Sequence, residues 1–180
     1  AQFFYDEIDS GFISSGVVTI IFGVLFFLSN LDHNKKLTLP QAFLLTALSW
    51  LSIAIFGSLP FIFSSIELSF TNAFFESMSG ITTTGSTIIT NLNETPKAIL
   101  LWRAMLQWLG GIGIIVMAIT LMPIMNIGGM QLFVISTSNT PEKILPNSKE
   151  ISIRLILVYL TLTIVCAVFY KIFGMSFFDS

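Results

Sequence analysis

No charged residue occurs from Leu37 to Ile66, and none from Ala104 to Pro141. A hydrocarbon layer of about 30 Å is crossed by ~20 consecutive apolar residues in helical form. Each gap is therefore long enough to hold a spanning helix. A soluble domain of this size needs ionisable side chains over its surface, commonly roughly 25% of all residues. Here 10% are charged and 54% are hydrophobic. The expected class is an all-α integral membrane protein.

Four hydrophobic segments are long enough to cross, at about 11–30, 41–64, 98–122 and 151–173. Ser69 to Ile89, between the second and third, has another character: it holds Glu76 and many Ser and Thr residues, and is interrupted at Gly80 and Gly85. Too short and too polar to span, it suits a re-entrant helix and loop. The chain then divides into a preceding membrane helix with its connection (1–40), a span–loop–span unit (41–122), a second connection (123–150), and the opening of another such unit (151–180). A faint repeat supports the last division. Leu68-Ser69-Phe70-Thr71-Asn72 follows the second span, and Met175-Ser176-Phe177-Phe178-Asp179 follows the fourth. With no initiator Met and no polar tail, the chain reads as a fragment.

Basic residues orient the spans. Lys35 and Lys36 lie in the connection 31–40, and Lys143 and Lys149 in 123–150, whereas the other side carries Asp6, Glu7, Asp9, Glu67 and Glu94, with Lys97 as the exception. Both connections are expected in the cytoplasm, so the re-entrant segment enters from outside. The acidic residues before the first apolar run argue against a cleaved secretory signal. A net charge of −2 without a basic stripe gives no reason to expect nucleic acid. Cys166 is the only cysteine, which rules out a disulfide framework within this chain.

The chemistry concentrates in Phe74-Phe75-Glu76-Ser77-Met78-Ser79-Gly80-Ile81-Thr82-Thr83-Thr84-Gly85-Ser86-Thr87. Backbone carbonyls of a non-helical loop at membrane depth lack water, and each unsatisfied group costs several kcal/mol. Such a loop persists when it is buried in protein or lines an aqueous path. Carbonyls turned into a path can replace the hydration shell of a monovalent cation. Glycine supplies the unusual dihedrals, and threonine hydroxyls can add ligands or ties. The helix before the loop ends near Gly80, and its negative dipole end favours a cation. An ordinary Ser/Thr-rich turn has a similar composition; the position between two spans, after a helix too short to cross, favours the filter.

The run Ala73-Phe74-Phe75-Glu76-Ser77 through Thr82-Thr83-Thr84-Gly85-Ser86-Thr87 resembles the first pore helix and filter of the TrkH/KtrB family of potassium transporters. Leu106-Gln107-Trp108-Leu109-Gly110-Gly111-Ile112-Gly113-Ile114-Ile115-Val116 and Gly128-Gly129-Met130-Gln131-Leu132 resemble its TrkH branch. The resemblance covers most of the chain from about residue 40. It implies four linked span–loop–span repeats around one pore in the bacterial plasma membrane, a homodimer, and a cytosolic, nucleotide-binding, TrkA-like regulatory partner. Potassium is the transported ion, and no prosthetic group is implied. Carried over residue by residue, the potassium ligands fall on the backbone carbonyls of Thr83 and Thr84, with Gly85 and Ser86 continuing the filter. Many relatives have Ala at the position of Ser86.

Glu76 and Arg103 are the charges nearest the membrane interior in the central unit, and opposite charges there invite pairing. The expectation is a structural pair that anchors the short helix to the following span; the alternative puts Glu76 toward the outer vestibule, with Arg103 snorkelling to the interface. Gly110, Gly111 and Gly113 lack the strand and downstream acid of a dinucleotide loop and suit close helix packing. Trp50, Trp102 and Trp108 read as packing or interfacial anchors, Met78 and Met105 as apolar filler, and His33 as a solvated loop residue. Asn93-Glu94-Thr95 fits a glycosylation acceptor, which would be without meaning in a bacterium. A coupled carrier with broken helices would need an ionisable residue at mid-membrane, for which Glu76 is the one loose candidate. An intramembrane enzyme would need a nucleophile–base or metal set, and the sequence offers none. A purely structural membrane module would leave the threonine–glycine loop unexplained.

Overall fold

The computed structural model describes residues 10–29, 38–121 and 147–180. His33, Lys35, Lys36 and Lys143, and the apolar residues Met130, Leu132, Phe133 and Ile135, lie outside the described residues. The described chain forms five helices: α1 (Ser10–Ser29), α2 (Leu39–Phe63), α3 (Phe70–Ile81), α4 (Lys97–Leu121) and α5 (Asn147–Ile172). Among the described residues, four segments are long and apolar enough to cross a bilayer: Ser10–Ser29, Phe43–Phe63, Lys97–Ile115 and Ile153–Ile172. These are the four expected spans, with ends shifted by a few residues. α3, at 12 residues, rises only about 18 Å.

Local sequence explains where the helices start and stop. Thr38 precedes α2, and its N–H donates to Gln41 Oε1 at 2.9 Å, satisfying one of the donors a helix start leaves open. Pro40 occupies the first turn, where its missing N–H costs nothing. Near the other end, Ser64 N–H reaches the Pro60 carbonyl at 3.1 Å. The chain then reverses through Glu67, at φ 42°, and Leu68 N–H returns to the Phe61 carbonyl at 3.3 Å. Ser69 caps α3, its Oγ accepting from Asn72 N–H at 3.4 Å.

The chain divides into two compact units, Ala1–Gly111 and Ile112–Ser180. In the first, Phe61 from α2, Ala73 from α3, and Ile99 and Leu106 from α4 form the buried cluster. Trp102 packs against it, meets the Phe12 ring edge-on at 6.1 Å, and donates from Nε1 to the Gly57 carbonyl at 2.9 Å. Among the three tryptophans, Trp102 is thus a packing residue tied to α2. α1 approaches α2 so closely at Gly11 that a Cβ there would strike the backbone of Phe63. Gly110 has the same role on α4, with the Ile81 backbone at the end of α3 occupying the space of a side chain. Close helix packing, the expected purpose of the glycine run, is what Gly110 provides.

In the second unit, α5 closes at Gly174, at φ 98°. Gly174 N–H bonds to the Lys171 carbonyl at 3.2 Å and Met175 N–H to that of Tyr170 at 3.1 Å, the paired bonds of a Schellman ending. The chain then starts a new turn at Ser176, whose Oγ accepts from Asp179 N–H at 3.1 Å, while Ser180 N–H bonds to the Ser176 carbonyl at 3.0 Å. Ser69 does the same, with Asn72 N–H on its Oγ and Ala73 N–H on its carbonyl at 2.9 Å. The sequence echo is also an echo in the hydrogen bonds that Ser69 and Ser176 make.

Candidate functional site

The end of α3 and the loop after it are built from one another. α3 runs one residue beyond Gly80, to Ile81. The helix thus ends near Gly80, as expected. Gly80 also makes room for α4, since a Cβ there would sit 3.0 Å from Leu106 Cβ. The chain turns at Thr82 and enters the left-handed region at Thr83, φ 60°, and again at Gly85, φ 78°. Glycine takes this conformation freely, but a β-branched threonine does so at a cost of order 1–3 kcal/mol, held by its surroundings.

The holding bonds are specific. Thr83 N–H donates to the Gly80 carbonyl at 2.9 Å, and Thr84 N–H and Gly85 N–H both donate to the Ser79 carbonyl, at 3.0 and 3.2 Å. Thr82 Oγ1 donates to the Met78 carbonyl at 2.8 Å and lies 2.9 Å from Thr84 Oγ1. Every peptide here is trans, so the C=O of each unit points opposite to its N–H. Three successive N–H groups face the end of α3; the carbonyls of Thr82, Thr83 and Thr84 consequently face away from it. Thr82 through Thr87 are exposed. The row of carbonyls thus leaves the negative end of the α3 dipole on the far side of the loop from open space.

The outgoing limb is tied back to α3. Ser79 Oγ donates to the Ser86 carbonyl at 2.6 Å. One turn earlier on the same helix face, Glu76 Oε2 accepts from Ile88 N–H at 3.1 Å. Glu76 Oε1 lies against Arg103 Nε of α4 in an ion pair, held by charge rather than by a directed hydrogen bond. The Glu76 side chain is fully buried and that of Arg103 is 14% exposed. A lone buried carboxylate would be costly; the guanidinium and the Ile88 amide together make it tolerable. Ser77 is also fully buried on α3, and its Oγ has no hydrogen-bond partner among the described residues.

The expected site residues Thr83, Thr84, Gly85 and Ser86 thus lie on one loop, with the Thr83 and Thr84 carbonyls directed outward and that of Ser86 directed at α3. Glu76 and Arg103 meet behind the loop. Sequence reasoning missed Ser79, whose carbonyl and hydroxyl bind three consecutive loop residues, 84, 85 and 86. The available signal was a serine seven positions before Ser86, on the same face as Glu76. Among the described residues, no cluster of three or more His, Cys, Asp or Glu side chains could hold a metal.

Residues 8–177 match the family model TrkH, described as cation transport protein. The chain is 40% identical over 180 residues to the Trk system potassium uptake protein TrkH of Halomonas elongata, covering 98% of this chain and 37% of that protein. It is 39% identical over 183 residues to the protein of the same name from Escherichia coli K12, covering 100% of this chain and 38% of that one. The crystal structure of the potassium transporter TrkH from Vibrio parahaemolyticus superposes with a TM-score of 0.84 at 38% identity, over 99% of this chain and 36% of that one. The chain spans rather more than a third of the length of these relatives.

Proposed function

The chain belongs to the TrkH family of cation transport proteins, and on that premise we propose that it supplies one filter loop to a potassium uptake pathway across the bacterial inner membrane. The backbone carbonyls of Thr83 and Thr84 would contact the dehydrated ion, with Gly85 and Ser86 continuing the loop outward. The observation that carries this reading is the row of three amides turned into the end of α3, which leaves the facing carbonyls free of the helix. Such oxygens present partial negative charge without the hydration cost of a carboxylate, as suits an ion that must bind and then leave.

One loop cannot surround an ion. The exposed loop calls for further loops of the same kind around a shared axis, and the turn restarting at Ser176 supports a second unit there. The ion would move down its electrochemical gradient, so the role is conduction rather than catalysis, with no prosthetic group. Because the relatives are named as members of a Trk system, the assembly we propose is a homodimer working with a cytosolic, nucleotide-binding, TrkA-like subunit.

The test uses the full-length transporter in cells lacking other potassium uptake. Gly85→Ala adds a side chain that meets only ordinary contact, with Gln107 Nε2 3.5 Å away, but imposes a left-handed alanine. A left-handed L-residue costs about 1–2 kcal/mol, so the initial uptake rate should drop by roughly tenfold at unchanged membrane abundance. Parental uptake and parental preference for potassium in this variant would remove the loop from the conduction path.

A further inference from the structure

The filter reading does not say what fixes the height at which the row of carbonyls facing away from α3 ends. We infer that the Ser79 hydroxyl fixes it: by donating to the Ser86 carbonyl, Ser79 withdraws that oxygen from the ion path and makes Gly85 the last position that can offer one. This rests on the loop being a cation filter, and it assigns selectivity to a side chain that never touches the ion.

The geometry is one-sided in a way that a generic tie is not. Ser79 is 6% exposed, so its hydroxyl meets little competition from solvent. Its carbonyl already receives Thr84 N–H and Gly85 N–H, which turns the carbonyls of Thr83 and Thr84 outward. Its hydroxyl then takes the carbonyl of Ser86 in the opposite sense, at 2.6 Å. The reversal of carbonyl direction therefore happens within two residues, across Gly85, whose φ of 78° permits it. Beyond the reversal, Glu76 Oε2 holds Ile88 N–H at 3.1 Å, so the limb cannot rotate as a whole to bring the Ser86 oxygen back. Without the Ser79 donor, the Ser86 carbonyl is an unpaired acceptor beside the path and can swing toward a cation. An added, flexible oxygen at the mouth stabilises a smaller or more strongly hydrated ion as well as potassium, and so lowers discrimination. Ser79 is a positioning residue.

Ser77 provides the control. It is another buried α3 hydroxyl, two residues away, with no partner among the described residues. Ser79→Ala and Ser77→Ala each delete one buried oxygen from the same helix. Each variant is measured in the full-length transporter for potassium uptake and for the sodium concentration that halves it. The expected result is roughly fivefold stronger sodium competition in Ser79→Ala, the scale of one lost hydrogen bond, with Ser77→Ala matching the parent. Equal sodium competition in all three proteins would overturn the inference, as would equal weakening in both variants, which would reduce Ser79 to a packing residue. Gly85→Ala, run alongside, separates the two levels: if it loses uptake while Ser79→Ala keeps its selectivity, the filter stands and only the role of Ser79 fails. If Gly85→Ala is also unchanged, the filter reading itself fails.

Discussion

Helices α1 and α3 lie in the same compact unit and are held in place by different physics. α1 has 20 residues, none charged, and few of them are buried within the protein: Phe26 is 65% and Phe27 68% exposed. Its polar side chains bond to its own backbone, Ser14 Oγ to the Ser10 carbonyl at 2.9 Å and Thr19 Oγ1 to that of Ser15 at 2.8 Å. Nothing beyond length and apolar character is needed to place such a helix in a bilayer. α3 has 12 residues and buries Glu76, Ser77, Ser79 and Gly80. It cannot span, and it is fixed by bonds to a loop and to another helix. Away from its contacts at Gly11 and Phe12, a helix of the first kind tolerates variation; one that positions a loop depends on single atoms.

That contrast can be broken most severely at Arg103. Arg103→Ala leaves the Glu76 carboxylate buried without its counter-charge, which typically costs about 3–5 kcal/mol. The full-length transporter should lose most of its thermal stability in detergent and its potassium uptake. Exchanging the charges, Glu76→Arg with Arg103→Glu, should restore more uptake than either single reversal; no rescue would reduce the pair to two independent contacts. A smaller effect is expected from Gly110→Ala, which drives a methyl group into the Ile81 backbone at the end of α3. Overpacking of this kind costs about 1–3 kcal/mol, and a melting curve of the purified transporter would read it. The least effect is expected on α1, where Phe27→Leu exchanges one apolar surface for another and should shift stability by under about 0.5 kcal/mol. A change at Phe27 as large as that at Gly110 would mean that specific contacts position α1 beyond those at Gly11 and Phe12.

Much of this was legible in the residues. The charge-free runs located the spans, and the polar, glycine-interrupted segment between them located the loop. Opposite charges at Glu76 and Arg103, isolated in apolar surroundings, pointed to the partners that the structure brings together. Less legible was the part played by each glycine. Gly80 marks the end of α3 to within one residue and is also a contact surface for Leu106, whereas Gly110 reads as packing and packs. The left-handed Thr83 left no trace in the sequence, because its residue type argues against that conformation. Ser79 was hidden for another reason: serine on a short helix is unremarkable until its hydroxyl is seen to meet a carbonyl seven residues away.

The sequence alone determined the solvent, because transfer of apolar side chains and avoidance of buried charge depend on composition along a run, summed residue by residue. It also determined how many times the described chain can cross and where it cannot. The directions of the Thr82, Thr83, Thr84 and Ser86 carbonyls were decided only by tertiary structure. A peptide unit turns according to which acceptor its N–H finds, and here the acceptors are offered by a helix end that Leu106, Gly110 and Arg103 of a separate helix hold in place.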